Sequence, residues 1–171
     1  LFFLLTDLVN NADRLDDLVA IDEQKRAIDA NTRQFVAGLP ANNVLLTGSR
    51  GTGKTSMAKI LAASLNCVNG PTLTPCGQCE SCRSIAAGTS VDVIELDAAS
   101  HGGVDDTREL RDRVIYSPAS SRFRVYIIDE AHMVTTQGFN ALLKVIEEPP
   151  DYVRFIFATT EPEKVLGTIR S

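Results

Sequence analysis

The stretch Gly48-Ser49-Arg50-Gly51-Thr52-Gly53-Lys54-Thr55 leaves this chain few folds to choose from. A run of the form G-x-x-x-x-G-K-T wraps a triphosphate with backbone N–H groups, and it needs glycine wherever a Cβ would hold the phosphate away. Gly48, Gly51 and Gly53 meet that need. Lys54 can reach the β- and γ-phosphates, and the Thr55 hydroxyl can join a Mg²⁺ shell at the N-terminus of the helix that follows. Ser49, Arg50, Thr52 and Ser56 complete the segment read as nucleotide-contacting. Such a loop works only between a strand and a helix. NVLLT (43–47) reads as the strand, and Thr55 to Leu65 sets Met57, Ile60, Leu61 and Leu65 on one helical stripe.

Three further apolar runs rich in β-branched residues show little alternation: VDVIEL (91–96), FRVYIID (123–129) and VRFIFAT (153–159). Runs of that kind are strands buried on both faces, as in a parallel sheet. Helical patterns over Asp22–Ala37, Asp105–Val114 and Thr136–Ile146 alternate with them, the last halted by Pro149-Pro150. The expectation is an α/β three-layer P-loop fold with right-handed crossovers and its ligand beyond the carboxyl ends of the strands.

Asp129-Glu130 closes the run FRVYIID, the third strand in chain order. An aspartate there holds Mg²⁺, and the next glutamate can orient or deprotonate the attacking water. Glu130 and Lys54 are therefore the candidate catalytic residues, with Thr55 and Asp129 as magnesium ligands. His132 completes the string DEAH, which also occurs in helicases, but 171 residues leave no room for a helicase's second domain. His132 reads as a helix-start or supporting residue. Thr159 and Thr160 end the last strand, where a hydroxyl can touch the γ-phosphate or the water.

All four cysteines fall within sixteen residues, as Cys67-x8-Cys76-x2-Cys79-x2-Cys82. Four thiolates suit tetrahedral zinc with no position left for substrate, hence a structural site. Disulfides and a redox pair are the alternatives, the first disfavoured in a reducing cytosol. The Gly-, Pro- and Ser-rich segment 66–89 around them reads as an inserted module within a single core spanning 1–171.

At 44% hydrophobic and 23% charged residues the composition is that of an ordinary globular domain. A net charge of −5 supplies no general attraction to nucleic acid. No apolar run approaches membrane-spanning length, and the opening LFFLL is too short and lacks a basic flank, so a cytoplasmic location is expected.

The strings GTGKTSMAKILAASLNC, CGQCESCRSI, DVIELDAASHGGVDDTRELRD, VYIIDEAHMVTTQGFNALLKVIEEPP and FATTEPEKV closely resemble the AAA+ ATPase domain of the bacterial DNA polymerase III clamp-loader gamma/tau family. The resemblance implies ATP and Mg²⁺ as ligands and a structural zinc on the four cysteines. It also implies DEAH as the Walker B element and Thr160 as the sensor of the γ-phosphate. Implied partners are other clamp-loader subunits, a sliding clamp and primer-template DNA. DNA contact would run through Arg108, Arg111, Lys144 and Lys164, although interleaved Asp and Glu favour a solvated, salt-bridged face.

The first fifty residues, including RLDDLVAIDEQKRAIDANTRQFVAGLPANNVLLTG, resemble a different bacterial P-loop ATPase family, which suggests a chimera joined near the loop. Val19 and Ile21 lie where AAA+ proteins surround adenine. The family's arginine finger and helical lid would follow Ser171, with Arg170 one register off the finger, so the expectation is a core truncated before its lid and poor in turnover. The alternative is a folded scaffold, natural or engineered, that binds nucleotide without useful catalysis.

Overall fold

The computed structural model describes residues 2–5, 26, 30, 33, 34, 37, 43–51 and 53–170. Among the described residues, five parallel strands form one sheet in the order β1-β2-β5-β4-β3. They are β1 (Phe2–Leu5), β2 (Asn43–Thr47), β3 (Val93–Asp97), β4 (Arg124–Asp129) and β5 (Val153–Thr159). The helices are α1 (Lys54–Asn66), α2 (Glu80–Ala87), a single turn α3 (Ala98–His101), α4 (Val104–Val114), α5 (Thr136–Glu147) and α6 (Pro162–Arg170). A 3₁₀ turn covers Ala131–Met133.

The strands expected at 43–47 and 153–159 stand as read, whereas β3 starts two residues later than VDVIEL suggests. Asp92 is the cause. Its carboxylate is fully buried and accepts N–H bonds from Ala119, Ser120 and Ser121, so it anchors the loop entering β4. β1 is not anticipated from the sequence, where LFFLL reads only as a run too short to be a membrane or export signal. Arg26, Ala30, Arg33 and Gln34 are helical, within the helix expected over 22–37, the rest of which lies outside the described residues. Val19, Ile21 and Thr52 lie outside them too.

Successive residues of each central strand enter opposite cores, which is why their sequences hardly alternate. Val44, Leu46, Val125, Ile127, Ile156 and Ala158 pack with Met57, Ile60 and Leu61 of α1 and Ile85 of α2. Leu45, Tyr126, Ile128, Phe155 and Phe157 meet Leu110 of α4, Phe139, Leu142 and Ile146 of α5 and Val165 of α6. Stacked rings, Tyr126 on Phe155 at 5.5 Å and Phe139 on Phe157 at 6.0 Å, fill the second core. The buried Asn43 amide ties both layers together, donating to the Ile146 carbonyl at 2.7 Å and accepting from Phe155 N–H at 3.1 Å.

The cysteine segment is not an appendage. Cys67, Cys82 and Ile85 are buried in the first core, with Leu73 and Cys79 packed against it. Among the described residues no helix is long and apolar enough to cross a membrane.

Candidate nucleotide-binding site and cysteine cluster

The loop leaves β2 with Gly48 at φ 151°, and Gly51 and Gly53 both take φ 78°. The last two values lie in the left-handed region, where a Cβ is strained. Gly53 caps α1, whose first turn carries no acidic residue, so its free N–H groups and positive dipole end present an uncompensated anion site. Lys54 is buried with its ammonium turned back on the loop, donating to the carbonyls of Gly48 at 2.9 Å and Ser49 at 2.8 Å. A phosphate entering the loop would exchange for those carbonyls as the partner of the charge.

Strand order settles how the acidic pair meets this loop. β5 lies between β2 and β4, so Thr47 registers with Thr159, and Asp97 with Asp129 at the sheet's other side. Across that gap Thr55 Oγ1 donates to Asp129 Oδ2 at 2.6 Å. A hydroxyl and a carboxylate 74 residues apart thus share one point at the end of the sheet. Oxygen donors so placed, beside a loop that can hold phosphates, fit Mg²⁺, which favours one or two protein oxygens plus phosphate and water.

Glu130 takes φ 48°, the left-handed region that non-glycine residues seldom enter. Its N–H caps the other Asp129 oxygen at 2.9 Å, and its carbonyl accepts from Met133 N–H at 2.8 Å. The strand therefore turns sharply between the two acids and separates their side chains. The Glu130 carboxylate faces His132, with Oε2 3.5 Å from Nδ1. Nδ1 also lies 3.0 Å from Thr159 Oγ1, and Nε2 lies 3.7 Å from Glu161 Oε1, which is paired with Lys164 at 2.6 Å. The Lys164 ammonium and the Glu161–Lys164 pairing hold the Glu161 carboxyl below its usual range despite slight burial.

The sequence reading favoured Thr160 as the γ-phosphate sensor. Thr160 is partly buried just beyond β5, while the fully buried Thr159 carries the hydrogen bonds to this network. Glu161 and Lys164 were missed as site residues. Their only signal was the i, i+3 spacing within EPEK, which becomes meaningful once Pro162 starts α6.

The four cysteine sulfurs lie within 4.8 Å of one another and form no disulfide. Thiolates about 2.3 Å from a tetrahedral zinc are roughly 3.8 Å apart, so the cluster fits a zinc ion. Backbone N–H groups point at the sulfurs: Cys76 to Cys67, Gln78 and Cys79 to Cys76, and Cys82 to Cys79. The donors from Gln78 and Cys79 bring the Cys76 thiol down to about 6. At Cys79, burial opposes the charge but N–H groups of Val68 and Cys82 outweigh it. Burial pushes Cys82 up to about 12, as befits a sulfur set among other sulfurs. The Cys79 sulfur also caps α2, so this helix and the cluster form together.

Three of the four basic residues considered for DNA have carboxylate partners: Arg108 with Asp105, Arg111 with Asp112, and Lys164 with Glu161. Lys144 is exposed on α5.

A family model described as "DNA polymerase III, delta subunit" matches residues 23–171. The chain belongs to that DNA polymerase III family. It is 69% identical over 137 residues to the DNA polymerase III subunit gamma/tau of Mycobacterium tuberculosis, covering 79% of this chain and 24% of that protein. It is 57% identical over 148 residues to the DNA polymerase III subunit tau of Escherichia coli, covering 86% of this chain and 23% of that protein. The chain thus spans about a quarter of the length of these relatives. A DNA polymerase III gamma subunit-related protein of Thermotoga maritima shares the fold, with a TM-score of 0.55 at 21% identity over 84% of this chain and 42% of that one.

The DNA polymerase III family match does not bear out the chimera reading. It begins at residue 23, well ahead of the loop where a join was suspected, so family sequence runs continuously through the suspected boundary.

Proposed function

We propose that this chain is the ATP-binding and hydrolysing core of a clamp-loader-type ATPase serving DNA replication. The observation that carries the reading is the 2.6 Å contact between Thr55 and Asp129, which unites the phosphate loop with the acidic pair. Membership of the DNA polymerase III family supports the replication role.

In this reading the N–H groups of residues 48 to 56 and the Lys54 ammonium bind the phosphates, and Val19 and Ile21 border the adenine. Thr55 and Asp129 hold Mg²⁺, which when bound offsets phosphate charge and orients the γ-phosphoryl group. Glu130 accepts a proton from the attacking water, and Thr160, next to Thr159, senses the γ-phosphate. Cys67, Cys76, Cys79 and Cys82 hold one structural zinc within module 66–89 of a core spanning 1–171. Zinc there would fix α2 against α1 and take no part in hydrolysis. Partners under this reading are further clamp-loader subunits, a sliding clamp and primer-template DNA in the cytoplasm, with the family's arginine finger and lid completing the site.

The second reading, a nucleotide-binding scaffold without useful catalysis, draws on Lys54 satisfying itself with loop carbonyls and on Glu130 facing His132. Titrating Mg-ATP binding and measuring steady-state turnover in one preparation separates the two. Binding with release of ADP and phosphate supports the enzyme. Binding without turnover supports the scaffold, and no binding overturns both.

A further inference from the structure

We infer that His132 is a positioning residue for Glu130, linking its carboxylate through Thr159 and the Glu161–Lys164 pair to the first turn of α6. The inference rests on the reading of Glu130 as the water-activating base. Its ground is geometric.

The backbone around Glu130 is fixed on every side. Its N–H is bound to Asp129 and its carbonyl to Met133, and Ala131 is buried in the second core. Gly102 presses on this turn from the neighbouring segment, since a Cβ on it would lie 2.6 Å from the Met133 carbonyl oxygen. Thr135 N–H donates to the Gly102 carbonyl at 3.0 Å and closes the turn. A left-handed residue so constrained has little left to vary except its side-chain torsions. The place of the carboxylate is then decided by what it faces, and it faces His132.

The imidazole is itself held from two directions. Nδ1 meets Thr159 Oγ1 at 3.0 Å and the Glu130 carboxylate at 3.5 Å, while Nε2 meets Glu161 at 3.7 Å. The charged groups around the ring are Glu130 on its own turn, Glu161 ahead of α6 and Lys164 within it. With its side chain 9% exposed and both nitrogens engaged, His132 is poorly placed to take a proton from water itself. Thr159 occupies the end of β5, between the loop strand and the acidic strand, and its Oγ1 also accepts from Glu161 N–H at 3.0 Å. Movement of α6 would therefore reach the base through one hydroxyl and one ring.

The test compares His132→Ala, His132→Asn, Glu130→Gln and the double variant His132→Ala/Glu130→Gln in the intact protein. Turnover at saturating Mg-ATP and equilibrium binding of a non-hydrolysable ATP analogue are both measured. His132→Ala is expected to lower kcat about tenfold, a part of the roughly 10²–10⁴ that a general base supplies, with analogue affinity unchanged. His132→Asn, which keeps a polar atom near the Nδ1 position, is expected to recover most of that loss. In the Glu130→Gln background His132→Ala is expected to cost nothing more, because a residue acting through Glu130 has nothing left to position. An equal loss in that background, or a loss of affinity instead of kcat, overturns the inference. Parental turnover in Glu130→Gln is a separate result, which removes Glu130 as the base. Should His132→Ala fail to fold, Thr159→Val carries the test, with a kcat-only loss absent from the Glu130→Gln background expected and parental kcat overturning.

Discussion

Thr55 Oγ1 donates a 2.6 Å hydrogen bond to Asp129 Oδ2, joining the first turn of α1 to the last residue of β4. Both oxygens are proposed here as ligands of one Mg²⁺, so removing either should weaken nucleotide binding chiefly through its metal dependence. Thr55→Val is expected to lower affinity for Mg-ATP while leaving affinity for metal-free ATP nearly unchanged. Titration calorimetry with and without Mg²⁺ checks this, and an equal loss in both would place the hydroxyl elsewhere.

Lys54 already has two carbonyl partners, and a bound phosphate would replace them. Lys54→Ala removes a charge-assisted contact of about 1.5–3 kcal/mol, which is roughly a ten- to hundredfold weaker Kd. Unaltered affinity by calorimetry would count against the phosphate assignment.

The cysteine cluster is expected to carry one zinc per chain, read by elemental analysis of protein purified without added metal. Cys79→Ser should reduce that content and raise amide exchange in residues 66–89. Because Cys67, Cys82 and Ile85 belong to the first core, exchange should also rise in α1, where they pack. Four free thiols with no metal, or protection lost only in the cysteine segment, would contradict this arrangement.

Asp92 should make stability pH-dependent. Burial works against its charge, but N–H groups of Ala119, Ser120 and Ser121 and the Ser120 hydroxyl prevail and hold its carboxyl below 3.8. Stabilisation from a depressed carboxylate is present above the unfolded value near 3.8 and is lost as pH falls through the lower folded value. Asp92→Asn is expected to cost about 1.5–3 kcal/mol at pH 7, with the gap to the parent closing as pH falls through the depressed folded value. Denaturant melts at pH 7 and below that value decide it, and a constant gap would deny the linkage.

Gly102 has φ −89°, which any residue adopts, yet a Cβ there would collide with the Ala98 carbonyl oxygen and lie 2.6 Å from that of Met133. Gly102→Ala should therefore act by displacing backbone at the DEAH turn, costing about 1–3 kcal/mol of stability. Turnover should fall further than nucleotide affinity, since Glu130 sits on that turn. A neutral melt would show that the turn can yield.

Local chemistry made much of this protein legible in its sequence. The glycines of the loop, Lys54 and Thr55 answer to requirements that hold within eight residues. The buried strands declare themselves by apolar runs, and the cysteines by spacing. None of that reveals who meets whom across the sheet. That β5 separates the loop strand from the acidic strand, placing Thr159 rather than Thr160 against His132, follows from strand order, which no local pattern encodes. Nor does sequence show Glu130 in a left-handed turn, because that strain is sustained by packing from Gly102 and Ala131. Which groups can do chemistry here is legible from residue identity alone, since that is a property of side chains. Tertiary structure decided which of them touch, since the sheet brings together residues scores of positions apart.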